Sequence, residues 1–282
     1  MSNPKSSGDE AGPARAYALG HSDRELDRLA VQARLIDPMT RRFFRDAGIV
    51  PGMRVLDVGS GAGDVAFLCA DMVGDTGEVV GVDRAPVALV AARRRADALS
   101  LRNVSFREGD PVDMTFEQPF DAVVGRYVLV FQRDPTTMLR KLVAHLRPGG
   151  VVVFHEPDFD SERSFPPVPT YDRCCRWVVE TLRLSGADPR MGIKLHATFV
   201  AAGLHAPSLR LESVIGGSAN SPDHVHFKTD LARTLVPEME RLGVATAGEV
   251  DIETLAERVL AEVIANSSVI VGRSEIGAWS RL

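Results

Sequence analysis

The 282-residue chain is expected to form a doubly wound, mostly parallel α/β sheet of seven strands, with helices before it and a helical cap inserted late. Three observations predict this. Short β-branched runs alternate with longer amphipathic segments from Met53 onward, the pattern of strand-helix units in a parallel sheet buried on both faces. The first of these runs ends at Asp57 and is followed by glycines at alternate positions, Gly59, Gly61 and Gly63. A stretch of about forty residues, 222 to 266, interrupts the run of strands before the last of them.

Residues 1 to 14, rich in Ser, Gly and Pro, read as a disordered tail. Ser22 with Glu25 three residues later forms a capping-box pattern, and Leu26, Leu29, Ala30 and Ala33 follow at helical spacing. A second short helix is expected from Pro38 to Ala47, ending near Gly48. Residues 15 to 50 are therefore assigned to an N-terminal helical lid and 51 to 282 to the main domain.

Within that domain "RVLDVG", "GEVVGVD", "VSFREGD", "FDAVVGR" and "GVVVFHE" read as strands, with helices at 62 to 73, 86 to 99 and 134 to 146. "PDFDSERSFPPVPTYD" reads as a Pro-rich loop, followed by helices at 171 to 186 and 191 to 202. "SLRLESVIG" and "SSVIVGRSEIGAWS" supply the last two strands, and two helices within 222 to 266 form the expected substrate cap. In such sheets ligands bind at the carboxyl ends of the strands, beside the point where strand order reverses.

Composition narrows the partners. A formal charge of -5 offers no basic footprint for nucleic acid. No apolar run approaches the roughly 20 residues of a membrane span, and the polar start lacks the core of a signal peptide. Cys69, Cys174 and Cys175 form no C-x-x-C pair and no zinc spacing, and their odd, sparse count fits a reducing, cytoplasmic compartment; a monomer or homodimer is expected.

The glycine loop sets the chemistry. Its third glycine follows the second by two residues, where the dinucleotide fingerprint needs three. Asp83 ends the second strand, where a carboxylate can accept from both hydroxyls of a ribose, and Asp110 follows the third, within reach of an adenine amino group. "LRPGG", 146 to 150, leads into the fifth strand.

The segments "LDVGSGAG", "VGVD", "EGD" and "LRPGG", in this order and spacing, resemble the class I S-adenosylmethionine-dependent methyltransferases over residues 50 to 158. The resemblance implies a Rossmann-like fold and S-adenosyl-L-methionine as cofactor. It places the methionine part on Asp57, Gly59, Gly61 and Gly63, the ribose on Asp83 with neighbouring Arg84, and the adenine on Asp110. Pro111 and Met114 depart from the family's usual residues after that acid.

The start, "YALGHSDRELDRLAVQARL", is similar to the bacterial small-molecule group of ubiquinone- and menaquinone-methyltransferase type, in which an N-terminal helix lies over the cofactor. This likeness implies that Tyr17, Ser22 and Gln32 help enclose it. Catalytic candidates at the strand ends are Arg126 and Tyr127 after the fourth strand, Arg126 also as a cofactor ligand, and His155 and Glu156 after the fifth. His224 and His226 in the cap are candidate acceptor contacts.

The histidines show no metal-ligand spacing, and the sequence carries neither the acidic pattern of metal-dependent catechol enzymes nor the Asn/Asp-Pro-Pro-aromatic run of nucleic-acid amino-methylating enzymes. A small organic acceptor, of natural-product or quinone-like type, is the expected partner. Two alternatives stay open at this point: a nicotinamide-dependent oxidoreductase, since Asp83 lies twenty residues after Gly63, and a non-catalytic protein that binds the same cofactor.

Overall fold

The computed structural model describes residues 23–217 and 222–282, with side chains from residue 35 onward. The expected tail and the readings at Tyr17 and Ser22 lie outside the described residues, and so does the side chain of Gln32.

Helix α1 (Asp23–Ala47) runs through Pro38 without a break, where two helices were expected. A proline removes one backbone hydrogen bond and crowds the preceding turn. Here packing overrides that cost, because Ile36, Met39, Thr40, Phe43 and Phe44 are all buried around it.

Strands β1 (Arg54–Val58), β2 (Glu78–Asp83), β3 (Val104–Glu108), β4 (Phe120–Arg126) and β5 (Leu146–Asp158) alternate with α2 (Asp64–Val73), α3 (Pro86–Ala98) and α4 (Pro135–Leu142). All five pair in parallel. Successive residues of β1 feed opposite faces: Leu56 and Val58 enter a core with Val123, Phe154 and Leu139, while Val55 joins Phe43, Ala66 and Leu89.

Beyond β5 come β6 (Arg163–Phe165), α5 (Pro169–Ser185), α6 (Met191–Ala201), β7 (Ser208–Gly217), α7 (Pro222–Leu242), α8 (Ala247–Val250), α9 (Ile252–Ala265) and β8 (Val269–Arg281). The sheet runs β3-β2-β1-β4-β5-β8-β6, with β7 also paired to β8. The three last strands are antiparallel to their neighbours.

Strand β6 makes an eighth strand inside the stretch expected to be a loop: Arg163 to Phe165 fill three register positions against Val271 to Val269. Three residues between prolines are too short to show a period, so composition alone reads as loop. The stretch 222 to 266 carries three helices where two were expected, because the Thr246 capping box starts the one-turn α8.

The chain builds outward from β1 through β2 to β3, then returns to β4 on the other side. The strand order therefore reverses between β1 and β4, and the glycine loop after Val58 opens into that crevice.

Candidate active site

Gly59, Gly61 and Gly63 all adopt positive φ, +66°, +52° and +94°. A Cβ at Gly59 would stand 2.9 Å from Val128 Cγ2, and one at Gly63 would stand 2.6 Å from Phe67 Cζ. Those two glycines permit close packing of the loop. At Gly61 nothing lies within 4 Å, so the loop backbone presents an open face there.

Asp83, half-buried at the end of β2, accepts from Gly61 N at 2.8 Å and from Ala85 N at 2.8 Å. Its carboxylate thus ties the second loop to the first. Asp110 pairs with Arg84 and accepts from Val112 N at 3.1 Å. Both residues line a groove of about 160 Å³ with Val112, Gln132, Asp134 and Met138.

Asp57 is 1% exposed, and its Oδ2 has no hydrogen-bond partner; Ser60 Oγ, three residues on, is likewise unpartnered. Burial pushes the Asp57 carboxyl well above the usual range, and Arg126 pulls in the opposite direction. Buried polar atoms without partners are rare in folded proteins. These two stand at the start of the glycine loop, and their free oxygens suit a hydrogen-bond donor.

At the end of β4, Arg126 Nη1 donates to Asp37 Oδ1 at 2.5 Å and to Thr40 Oγ1 at 3.1 Å, latching α1 onto the crevice. Tyr127 holds φ +58°, unusual for a bulky residue. Its hydroxyl donates to Glu275 Oε2 at 2.8 Å.

His155 is fully buried, with Nε2 2.9 Å from Glu275 Oε2 and Nδ1 3.1 Å from Thr40 Oγ1. Burial pushes Glu275 up, but Arg273 and His155 outweigh it and hold the carboxyl at about 2. An ionised Glu275 only accepts, so His155 Nε2 carries a proton. Burial pushes the imidazole down, and Nδ1 stands against Thr40 Oγ1, whose hydroxyl is also placed to donate to Ile36 O at 3.2 Å. The expected catalytic role of His155 at the strand end is therefore corrected: both ring nitrogens are engaged inside the core.

Glu156 is corrected as well. Its Oε1 accepts from Val128 N at 2.9 Å and Leu129 N at 2.7 Å, and its Oε2 accepts from Val130 N at 3.1 Å. Burial pushes the group up to about 8, against the pull of those three N–H groups. Fully buried, it anchors the loop after β4 and does not face an acceptor.

In α7, His224 and His226 stand two residues apart and so point to different sides. His224 is 4% exposed and His226 is exposed, which separates the expected pair. Asp37, Thr40, Arg273 and Glu275 escaped the sequence reading. Arg273 and Glu275 carried a signal, two charges at alternate positions inside an apolar strand, and they are bonded through Nε and Oε1 at 2.8 Å.

The network makes a pH-dependent contribution to stability. A carboxyl held at about 2, below its ordinary 4.5, binds fewer protons in the folded state. Its contribution is complete above about pH 4.5 and is lost as pH falls toward 2. Urea unfolding at about pH 6 and about pH 3 is expected to show a loss in the native protein that Glu275→Gln reduces.

Comparison with known proteins places these features. A family model described as a methyltransferase domain matches residues 49–186. Aklanonic acid methyltransferase DauC from Streptomyces sp. (strain C5) is 36% identical over 153 residues, covering 54% of this chain and 68% of DauC. The chain belongs to the class I S-adenosylmethionine-dependent methyltransferases. Its cofactor is S-adenosyl-L-methionine, and the nicotinamide alternative finds no support.

Within this methyltransferase family, a 2-phytyl-1,4-naphtoquinone methyltransferase from Synechococcus elongatus (strain ATCC 33912 / PCC 7942 / FACHB-805) is 39% identical over 134 residues, 46% of this chain and 56% of that protein. The solved structure of a geranyl diphosphate methyltransferase in complex with SAM superposes with TM-score 0.54 at 16% identity, covering 93% of this chain and 92% of that one. That likeness shows the fold. Among the described residues no helix is long and apolar enough to cross a membrane.

Proposed function

We propose that the protein transfers the methyl group of S-adenosyl-L-methionine to a small organic acceptor of natural-product or quinone-like type, by in-line displacement and without a metal. The observation that carries this reading is the crevice between β1 and β4, where the glycine loop with its open face at Gly61 follows the unpartnered Asp57 and includes the unpartnered Ser60. The relatives' names point to organic acceptors, an acid named aklanonic acid and a naphthoquinone.

In this reading Asp57 and Ser60 take the methionine amino group, and the glycine loop lies along the methionine part. Asp83 takes the ribose hydroxyls. The groove beside Asp110 takes the adenine, with Arg84 turned aside from the carboxylate it now meets. Arg126 holds α1 as one wall of the site and the described part of the lid, and 222 to 266 form the acceptor cap.

The sulfonium supplies an already activated methyl group, so the chain contributes alignment and exclusion of water. Arg126 and Tyr127 are the catalytic candidates that remain at the mouth, as positioning groups. His155 stands behind them through Glu275. The same reading has the enzyme work in the cytoplasm, as a monomer or homodimer, on a diffusible acceptor.

Incubation with S-adenosylmethionine and a panel of phenols, hydroquinones and polyketide acids, screened for a mass gain of one methylene, tests the activity. A product from at least one member is expected. Formation of S-adenosylhomocysteine with no methylated acceptor in any reaction would speak against a small-molecule acceptor. Asp83→Ala is expected to weaken S-adenosylhomocysteine binding by about 1 to 3 kcal/mol, since it removes a charged acceptor. Unchanged affinity in the folded variant would take the ribose role from Asp83.

A further inference from the structure

A small, partly open notch lies between α1, α7 and β8, and its wall includes Ile36, Val214, His224, Phe227, Leu231 and Gly272. Its free volume is about 10 Å³, the space of a single water-sized group. His224 is the unsatisfied group in it: 4% exposed, with no partner for Nδ1. Burial and the nearby charge of Lys228 push this imidazole down to about 4, so it is a neutral ring with one donor and one acceptor nitrogen.

The charges that border the notch are already matched. Lys228 Nζ meets Glu162 Oε2 at 2.6 Å with both side chains 4% exposed, and Arg273 Nε meets Glu275 Oε1 at 2.8 Å. A further net charge brought here would find no free counter-charge and would lose its hydration. A neutral oxygen would instead complete His224. Glu275 borders the notch and also holds the Tyr127 hydroxyl, so the notch adjoins the end of β4 where the methyl is delivered.

We propose that the notch receives one neutral oxygen of the acceptor, a hydroxyl or a keto group, hydrogen-bonded to His224, while the acceptor's apolar body extends from Ile36, Phe227 and Leu231 toward the crevice. The inference rests on the methyltransferase reading and selects among its acceptors: uncharged oxygenated rings are taken, and analogues with a carboxylate at the same end are refused. Gly272 sets the fit, because a Cβ there would stand 2.7 Å from His224 Nε2.

The test is calorimetric titration of the S-adenosylhomocysteine-saturated protein with 1-naphthol and with 1-hydroxy-2-naphthoate. The neutral phenol is expected to bind at least about tenfold more tightly than the carboxylate, the scale of one hydrogen bond between neutral groups. His224→Phe and, independently, Gly272→Ala should each weaken 1-naphthol binding about tenfold and leave S-adenosylhomocysteine affinity unchanged, which also certifies that the variants are folded. Equal binding of the two probes, no binding of 1-naphthol, or indifference to both substitutions would show that the notch holds only water and would overturn the inference. Failure of the native protein to bind S-adenosylhomocysteine would instead overturn the methyltransferase reading beneath it.

Discussion

Replacing Glu156 with alanine is expected to destabilise the fold by about 3 kcal/mol or more, since three buried N–H groups each lose their acceptor. Val128, Leu129 and Val130 donate to this one carboxylate and to no other described acceptor. Val128 also packs where a Cβ on Gly59 would stand, so loosening the β4 loop loosens the glycine loop with it. Glu156→Gln is expected to cost less. Its amide oxygen can still accept from Val128 and Leu129. Urea midpoints of the two variants check this ordering; an alanine variant as stable as the native protein would show that the loop is held by other contacts.

Gly61→Val should abolish measurable cofactor binding, a loss of about a hundredfold or more. At φ +52° a β-branched side chain is strained, and this strain alone costs on the order of 1 to 3 kcal/mol. The new side chain would also occupy the open face that the cofactor needs. A control separates the two effects. Gly74 has φ +65° and equally open surroundings but lies at the far end of α2, so Gly74→Ala should lower stability and leave S-adenosylhomocysteine affinity unchanged. Retained affinity in Gly61→Val would remove the loop from the cofactor contact.

Much of the fold was legible because its signals are local. β-branched runs such as Val151 to Val153, buried on both faces, can be read one strand at a time, and so can acids and glycines at strand ends. The order of β5, β8 and β7 was not legible, since antiparallel pairing across separations of 52 to 130 residues leaves no local mark. Pro38 misled for a related reason: propensity is local, and the burial of Phe43 and Phe44 that carries α1 past it is not.

The candidate site divides along the same line. Asp57 and the glycines announce themselves by spacing. His155 and Glu156 were read as the end of the fifth strand, which runs on to Asp158, and position along a strand does not reveal whether a side chain meets solvent or backbone. Their partners come from β8 and from the loop after β4, and only the folded chain brings Glu275 and the Val128 to Val130 amides to them. His224 and His226 look alike in sequence; a helical turn buries one and exposes the other.

The most direct measurement of the central claim is isothermal titration of the native protein with S-adenosylhomocysteine and, separately, with NAD. Saturable binding of S-adenosylhomocysteine at one site per chain, lost in Gly61→Val, with no heat from NAD, is the expected result. Saturable binding of NAD with none of S-adenosylhomocysteine would contradict it.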